Sequence, residues 1–281
     1  MSTTLAVDTD KIAVLRRARR VWAIASVHGE VDRLVGIHRE IARRFVTGDR
    51  LVYLGNVIGR GGDAIAAIDA LLAFRRAVIG ANGMFANDVA ILRGAQEEMW
   101  QKLLQLQLAL DPGAVLEWML DHGVAATLEA YGGDTTDGMR AARGGAAACA
   151  RWTSALRDAI QRHPGHNALF SALRRAAVSE PAPATAEVPE GAPLLFVHAG
   201  LDVSRPLATQ KDSFWWSTGR FNDIDKPYGD FARVVRGYDN SHAGIVSGPY
   251  TLSIDTGCGF GGPLTAVCLD GKGTIVEQLE A

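Results

Sequence analysis

The stretch LVYLGNVIGRGGDA, residues 51–64, indicates the fold of the whole chain. It begins with an apolar run typical of a buried strand, turns at Gly55 and continues into a glycine-rich loop that carries Arg60. A strand that ends in such a loop before a helix is the layout of a phosphate-handling loop at the edge of a parallel sheet. Where acidic metal ligands would be expected, however, the loop has Asn56 and Gly59. The sequence leaves open whether this loop belongs to an active site or only to its shell.

The segments on both sides of this loop repeat the same pattern of strand, loop and helix. Residues 21–26 (VWAIAS) and 88–94 (DVAILRG) are predicted strands, and each is followed by an amphipathic helix. Three such units in succession favour a parallel sheet with its functional loops at one edge. From residue 194 onward the chain is rich in short strands, which we expect to be antiparallel, and DGKG at 270–273 favours a hairpin. The sequence thus predicts an α/β fold with two sheets packed face to face.

A segment of different character lies between these halves. Residues 111–178 have an almost wholly helical pattern, and we interpret them as a helical insertion within a single domain that covers residues 1–281. Residues 179–193 (SEPAPATAEVPEGAP) are rich in Pro and Ala and predict an exposed, mobile linker. Their prolines leave no room for a helix or a central strand.

Composition narrows the class of protein. The chain has 281 residues, 48% of them hydrophobic, with 29 Lys plus Arg against 31 Asp plus Glu. This balance gives no global basic field for nucleic acid, and no apolar run is long enough to span a membrane. The three scattered cysteines, Cys149, Cys258 and Cys268, fit neither a disulfide framework nor a metal site. We therefore expect a cytoplasmic protein with neither a nucleic-acid nor a membrane partner.

Five loops follow the predicted strands, and together they are more informative than any one of them. A lone histidine such as His28 or His198 is more often a satisfied core residue than a ligand. The order and spacing of all five loops favour a functional reading. They are SVHG at 26–29, GNVIGRGGD at 55–63, RGAQEE at 93–98, VHAGL at 197–201 and VSGPY at 246–250.

In this order the loops resemble the motifs of the calcineurin-like metallophosphoesterases, specifically the phosphoprotein phosphatase family and its bacterial relatives that include the diadenosine tetraphosphatases. The family motifs are G-D-x-H-G, G-D-x-x-D-R-G, G-N-H-[DE], H-A-G-L and G-H-T. The chain has ASVHG, GNVIGRG, GAQE, HAGL and GPY. The resemblance covers nearly the whole chain from about residue 21. It implies a metallophosphoesterase-like two-sheet β-sandwich flanked by helices, with a helical insertion.

The resemblance also implies which residues stand at the functional positions. In the family, two divalent metals are held by aspartates, histidines and an asparagine, and a further histidine protonates the leaving group. Two ligand positions keep their histidines, His28 and His198. The other positions are replaced, and the residues that stand there are Ser26, Asn56, Gly59, Ala95, Gln96 and Pro249.

These replacements remove the chemistry of a dinuclear centre. Two divalent cations roughly 3.5–4 Å apart repel each other strongly unless anionic ligands lie between them. The amide of Gln96 cannot transfer a proton at neutral pH. We therefore expect no cofactor. The alternative is one weakly bound divalent metal such as Mn, on His28 and His198 or on carboxylates supplied by Glu97, Glu98 and Asp63.

Arg60 is the position that keeps a substrate-binding residue. In the family the arginine of the second motif contacts the substrate phosphate, a task that suits a guanidinium without any metal. The alternative is a surface arginine paired with Asp63 or Glu97. A second phosphate-binding arginine would be expected near Thr218, where the closest candidate is Arg220.

Two further motifs admit a functional interpretation. The basic run RRARR at 16–20 could contact nucleic acid or acidic lipid, although such a run is more often the solvated face of a helix. FWWS at 214–217 could stack on a ring, although tryptophans more often serve packing.

The sequence therefore predicts a catalytically inactive, phosphatase-like binding protein. Its anion-binding residues would be His28, Asn56, Arg60 and His198, and its ligand a protein partner or a phosphorylated or otherwise anionic ligand. The first alternative is a residual phosphoesterase, a protein serine/threonine phosphatase or a dinucleoside polyphosphate hydrolase with an atypical or single-metal site. The second is a structural subunit whose interface is residues 111–178 or the tryptophan region. The oligomeric state stays open.

Overall fold

The computed structural model describes residue 8 and residues 10–184 and 191–281, in two mixed sheets flanked by helices. The strands are β1 (Ile12–Ala18), β2 (Arg20–Ile24), β3 (Asp49–Tyr53), β4 (Val89–Ile91), β5 (Ala176–Pro181), β6 (Leu194–Val197), β7 (Arg233–Arg236), β8 (Gly244–Ser247), β9 (Thr251–Asp255), β10 (Thr265–Asp270) and β11 (Ile275–Glu280). The helices are α1 (Val31–Arg44), α2 (Ala64–Ile79), α3 (Ala95–Leu103), α4 (Pro112–Met119), α5 (Ala125–Ala130), α6 (Thr135–Arg143), α7 (Ala146–Gln161), α8 (His166–Ala172) and α9 (Ser213–Trp216).

The two sheets confirm the predicted α/β sandwich. One sheet has the strand order β1-β5-β6-β7-β9-β8, and the other has the order β11-β10-β2-β3-β4. The three strand–loop–helix units predicted from the sequence form the parallel run β2-β3-β4, with Ile24 level with Tyr53 and Tyr53 level with Ile91. The predicted hairpin joins β10 and β11.

Helix α1 shows why these units fold as they do. Its apolar residues recur at helical spacing, so that Leu34, Ile37 and Ile41 form one buried face together with His38.

Helix α2 begins at an N-cap, because the Asp63 side chain accepts a hydrogen bond from the backbone of Ala66.

Three expectations from the sequence are wrong in detail. The first half of the RRARR run lies in the edge strand β1 instead of a helix, and β1 pairs in parallel with β5. Residues 179–181, assigned to the linker, continue β5, and Ser179 is buried because its hydroxyl accepts a hydrogen bond from the backbone of Leu194. Residues 185–190 of that linker lie outside the described residues. The second half is mixed, since β6, β7 and β9 run parallel while β8 and β9 are antiparallel.

The helical segment predicted at 111–178 contains α4 to α8, and its last three residues already belong to β5. Its helix α4 packs against α3, and its helix α5 packs against α2. Across the part of the chain that the structure describes, no helix combines the length and the apolar character needed to cross a bilayer.

Candidate functional site

The candidate site lies where the C-terminal ends of parallel strands from both sheets meet. β2, β3 and β4 end level with one another in one sheet, and in the other Val197 of β6 is level with Arg236 of β7. The backbone of Ser26 donates to the carbonyl of Gly237 at 3.1 Å, which joins the loop after β2 to the loop after β7. Four of the five predicted loops therefore come together, as expected at such an edge.

The buried carboxylate of Glu97 holds two of these loops together. One oxygen accepts from the backbone N–H groups of Gly94 and Asn56 at 2.8 and 2.9 Å. The other accepts from those of Val57 and Ile58 at 2.7 and 3.2 Å. Burial raises the pKa of Glu97, while these backbone donors act in the opposite direction. The carboxylate is fully used by the backbone and is not free to bind a metal.

Asn56 is likewise occupied by its neighbours. It adopts a left-handed backbone with φ of 49°, and its Oδ1 accepts from the backbone of Gln96 at 2.9 Å. Its Nδ2 lies 3.3 Å from Nε2 of His28, and the side chain of Gln96 donates to the carbonyl of His122 at 2.8 Å. Asn56 therefore links three loops of the site instead of pointing an oxygen into an open cavity.

The two surviving histidines are fully buried and neutral. Burial, with the nearby His198 and Arg60, lowers the pKa of His28 to about 3. Burial lowers the pKa of His198 to about 4, although its Nδ1 makes a 2.7 Å hydrogen bond to the carbonyl of Leu54. Several buried polar atoms of this pocket have no hydrogen-bond partner among the described residues: Ser26 Oγ, His28 Nδ1, Gln96 Oε1 and His198 Nε2.

Aromatic rings cover these histidines. The Tyr238 ring stacks on His198 with centroids 5.3 Å apart, and it lies 6.1 Å from the His28 ring. Phe260 meets His28 edge-on at 5.4 Å. Neither Tyr238 nor Phe260 was among the site residues predicted from the sequence. The signal was nonetheless present, because Tyr238 follows Gly237 directly after β7, as an aromatic ring in place of the histidine of a G-H motif.

The assignment of the fifth motif to Pro249 is therefore wrong. Pro249 is exposed in the turn between the antiparallel strands β8 and β9, where the backbone of Gly248 bonds to Thr251. This turn precedes β9, whereas the site lies at the other end of β9, level with the end of β7. The loop that lies beside the site on this side is instead the one after β7, where Ser26 bonds to Gly237 and Tyr238 bonds to the carbonyl of His198.

A second pair that the sequence analysis missed lies beside this aromatic cover. His242 Nδ1 bonds to the buried carboxylate of Asp255 at 2.8 Å, and the same oxygen accepts from the backbone of Asp239 at 2.8 Å. The His242 ring lies 4.1 Å from that of Phe260. Only the folded topology brings this pair to the site, because neither residue stands in a recognisable motif.

Arg60 lies at the exposed rim of the site. Its guanidinium carbon stands 4.8 Å from the ring centroid of Phe260, a cation–π contact, and it forms no ion pair with any described residue. The pairing considered from the sequence does not form, since Asp63 caps α2 and Glu97 bonds to backbone. Glu98 pairs with Arg93 at 2.8 Å.

The second arginine sought near Thr218 does not reach the site. Arg220 is exposed and pairs with Asp202 at 3.2 Å. Arg236, the last residue of β7, is buried. Its guanidinium donates to the carbonyl of Thr218 and pairs with Asp239 at 2.8 Å. Arg60 is the arginine of this group whose guanidinium is not already engaged by a carboxylate.

The residues at the ligand positions do not fit a dinuclear metal centre. No group of three or more His, Cys, Asp or Glu side chains converges to hold a metal in the described residues. Ala95 supplies no donor atom, and Ser26 supplies only a hydroxyl. A Cβ added at Gly59 would lie 2.7 Å from His28 Nδ1 and 2.8 Å from Gln96 Cγ, so the packing has no room for an aspartate at that position.

With the fold and site described, comparisons with known proteins can be placed. No family model and no curated protein sequence matches this chain. Solved structures do match. A crystal structure described as "a putative diadenosine tetraphosphatase" superimposes with a TM-score of 0.52 and 19% identity, over 96% of this chain and 98% of that one.

Two other similarities are looser. A serine/threonine phosphatase from Saccharomyces cerevisiae, similar to human phosphatase PP5, gives a TM-score of 0.47 at 12% identity over 96% of this chain and 84% of that one. The cold-active protein-tyrosine phosphatase of a psychrophilic Shewanella gives 0.46 at 15% identity over 99% and 86%. We base the fold on the first match alone.

The class defined by fold and site is thus an α/β sandwich with its loops gathered at the strand ends. The chain shares this metallophosphoesterase-like fold with the crystal structure described as "a putative diadenosine tetraphosphatase".

Proposed function

We propose that this chain is a catalytically inactive, phosphatase-like binding protein that holds an anionic group of a partner at Arg60. The observation that carries the proposal is the contrast at the site between the buried ligand positions and the exposed Arg60. Beneath the rim, His28 and His198 are neutral and covered by rings. At the rim, Arg60 has no ion-pair partner among the described residues.

The donor set supports the proposed loss of catalysis. In-line attack on phosphorus needs an activated water, and a metal that would activate it needs free carboxylate ligands. Among the described residues, the buried Glu97 carboxylate is occupied by four backbone N–H groups, and the Asp255 carboxylate by His242 and backbone N–H groups. Gln96 stands at the position of the general acid, and its amide cannot transfer a proton to a leaving group at neutral pH.

Binding of an anion is supported by the rim. A guanidinium beside an aromatic face can donate hydrogen bonds to a phosphate or carboxylate while keeping its cation–π contact. The ring of Tyr238 and the imidazole of His242 lie next to each other, with centroids 5.7 Å apart, and offer further polar atoms near Phe260. We propose a phosphorylated segment of a cytoplasmic protein as the ligand.

The test is calorimetric titration with a phosphoserine tetrapeptide and with its unphosphorylated form. We expect the phosphopeptide alone to bind, and Arg60→Gln to weaken it at least ten-fold. Arg220→Gln is the matched control, since Arg220 is exposed but paired with Asp202, and it should leave binding unchanged. Equal binding by wild type and Arg60→Gln would refute the proposal.

A second candidate function rests on the unpartnered buried atoms. Ser26 Oγ and His198 Nε2 lack hydrogen-bond partners among the described residues, and a single metal or ordered waters would satisfy them. This favours the residual phosphoesterase with one metal such as Mn. Elemental analysis after dialysis against manganese, with an activated aryl phosphate as substrate, separates the two functions. Less than about a tenth of an equivalent of metal and no hydrolysis would eliminate this second candidate.

A further inference from the structure

A cavity of about 770 Å³ lies away from the strand-end loops, between the edges of the two sheets. Strand β1 is the last strand of one sheet and β4 is the last strand of the other, and both line the cavity together with α2 and α8. Five arginines and one aspartate line this space, which we call the edge groove: Arg16, Arg17, Arg50, Arg75, Arg174 and Asp88.

Most of this positive charge is uncompensated. Arg50 is structural, because it pairs with Asp88 at 2.9 Å and donates to the carbonyl of Arg16 at 2.9 Å. The other four arginines form no ion pair with any described residue. Arg174 donates to a backbone carbonyl, that of Ala172. Like charges around one cavity repel each other, so an anion placed there would relieve this repulsion.

The edge groove also has an apolar side. Phe85 is 71% exposed, and Leu72 and Leu169 line the same space from α2 and α8. A large aromatic side chain left so exposed beside a basic rim is unusual for a surface that only faces water. The lining therefore suits a ligand with both an anionic and an apolar part.

The backbone of Arg17 is a further sign of a specialised position. Arg17 has a φ of 52°, at an irregularity in the β1–β5 pairing between Leu15 and Ala18. The left-handed region is sterically disfavoured for residues other than Gly, Asn and Asp. A glycine would relieve that strain but would remove a guanidinium from the edge groove.

We propose that the edge groove is a second binding site, distinct from the Arg60 rim, for a small amphiphilic organic anion. The ligand would have a phosphate or carboxylate head bound by Arg17 and Arg75 and an apolar body against Phe85. The volume falls within the range of about 300–1,000 Å³ that is usual for small-molecule sites. The arginines surround a cavity instead of forming an extended stripe, which disfavours nucleic acid.

The experiment is calorimetric titration of the full chain with n-octyl phosphate and with octanoate, both below their micellar concentrations, and with inorganic phosphate. We expect one equivalent of an octyl anion to bind at least ten-fold more tightly than inorganic phosphate. The preference between octyl phosphate and octanoate identifies the head group.

Variants locate the site and separate it from the Arg60 rim. Arg17→Gln with Arg75→Gln should weaken the octyl anion at least ten-fold, and Phe85→Ser should weaken it without changing inorganic phosphate. Arg76→Gln, the next residue on α2 but outside the lining, should have no effect. Arg60→Gln should remove only the weaker phosphate binding at the rim and should retain the tighter site for the octyl anion. Circular dichroism confirms that each variant is folded.

Three results would overturn the proposal. They are no binding of either octyl anion to the wild-type chain, equal binding of octyl phosphate and inorganic phosphate, and loss of binding in Arg60→Gln but not in the double variant. Because Arg60→Gln is part of both designs, failure here leaves the proposed function of the rim separately tested.

Discussion

The strand-end pocket and the edge groove handle charge in opposite ways. In the pocket, the buried carboxylate of Glu97 is used by backbone donors, and His28 and His198 are neutral under aromatic rings. In the edge groove, four guanidiniums without a described ion-pair partner surround an open space. The Glu97 carboxylate of the pocket thus has its partners within the chain, whereas the guanidiniums of the groove remain available to an anionic ligand.

This difference teaches that the frame of a site is held by contacts that do not depend on a ligand. Glu97 ties the loops after β3 and β4 together through backbone N–H groups alone. The frame persists because its removal would expose buried N–H groups, a cost that does not depend on catalysis.

Acid should break the pocket while leaving the groove charged. The histidines His28, His38 and His198 have folded pKa values of about 3, 3 and 4, below the unfolded value near 6.5. Below about pH 6.5 the unfolded chain takes up protons that the folded chain refuses, so stability falls as pH falls, by roughly 1.4 kcal/mol per pH unit for each histidine. We expect a steep loss of melting temperature between pH 6.5 and 4.5.

A single variant checks this cause. His38 lies outside the pocket and bonds to the Tyr53 hydroxyl at 2.8 Å, a bond that His38→Gln can retain without titrating. In metal-free buffer this variant should lose the contribution of one histidine, so that its slope is smaller than that of the wild type by roughly 1.4 kcal/mol per pH unit. A melting temperature that is flat across this range in the wild type would contradict neutral burial.

Removal of the Glu97 carboxylate should be the next largest effect. Glu97→Ala leaves four backbone donors without their acceptor in a buried place, for which we expect a loss of roughly 3–5 kcal/mol in the free energy of unfolding. Glu117→Ala on the exposed face of α4 should cost less than about 0.5 kcal/mol. Urea unfolding measures both. Equal losses would mean that the pocket frame is not held by Glu97.

The edge groove predicts an effect of the opposite sign. Arg17→Gly should stabilise the fold by about 0.5–1 kcal/mol, because glycine adopts the positive φ without strain and one repelling charge is removed. Arg19→Gly, also in an exposed position but without a positive φ, should not stabilise the fold. If Arg17→Gly destabilises, the strain at this position is not real.

The smallest effect should come from the rim. Arg60→Gln is expected to change the free energy of unfolding by less than about 0.5 kcal/mol, since Arg60 is exposed and has no ion-pair partner among the described residues. A loss above 1 kcal/mol in urea unfolding would show that Arg60 serves stability, and would remove the sharp contrast with Glu97.

The sequence predicted the sandwich because its strongest patterns are local. The parallel run β2-β3-β4 follows from three repeats of strand, loop and helix, and the β10–β11 hairpin from a short glycine turn. Strand β1 was not predicted because Arg16 and Arg17, within the basic run, interrupt the alternation of apolar and polar residues that indicates a strand. Its partner β5 also lies far away in the chain. Ser179 was assigned to a linker because prolines dominate the residues that follow it. Its pairing with Leu194 of β6 leaves no local pattern in the sequence.

The candidate site was predictable only where motifs are contiguous. His28, Asn56, Gln96 and His198 were found because each stands in a short loop that resembles a metallophosphoesterase motif. Tyr238 was missed because an aromatic ring in place of a histidine resembles ordinary packing, and GPY offered a nearer match in letters. That the His242–Asp255 pair forms, and that Arg60 is unpaired, depends on loop geometry that no local pattern records.

The strand pairing also sets the order in which the chain can fold as it is made. Strand β1 pairs with β5, which follows the whole helical segment, and β2 pairs with β10 near the other end of the chain. A growing chain that has not reached residue 265 therefore carries β2 with one open edge, next to a parallel neighbour that is itself slow to form. Such an edge invites pairing with other chains, so the time between synthesis of β2 and of β10 is when aggregation is the greatest risk and a chaperone would be most useful.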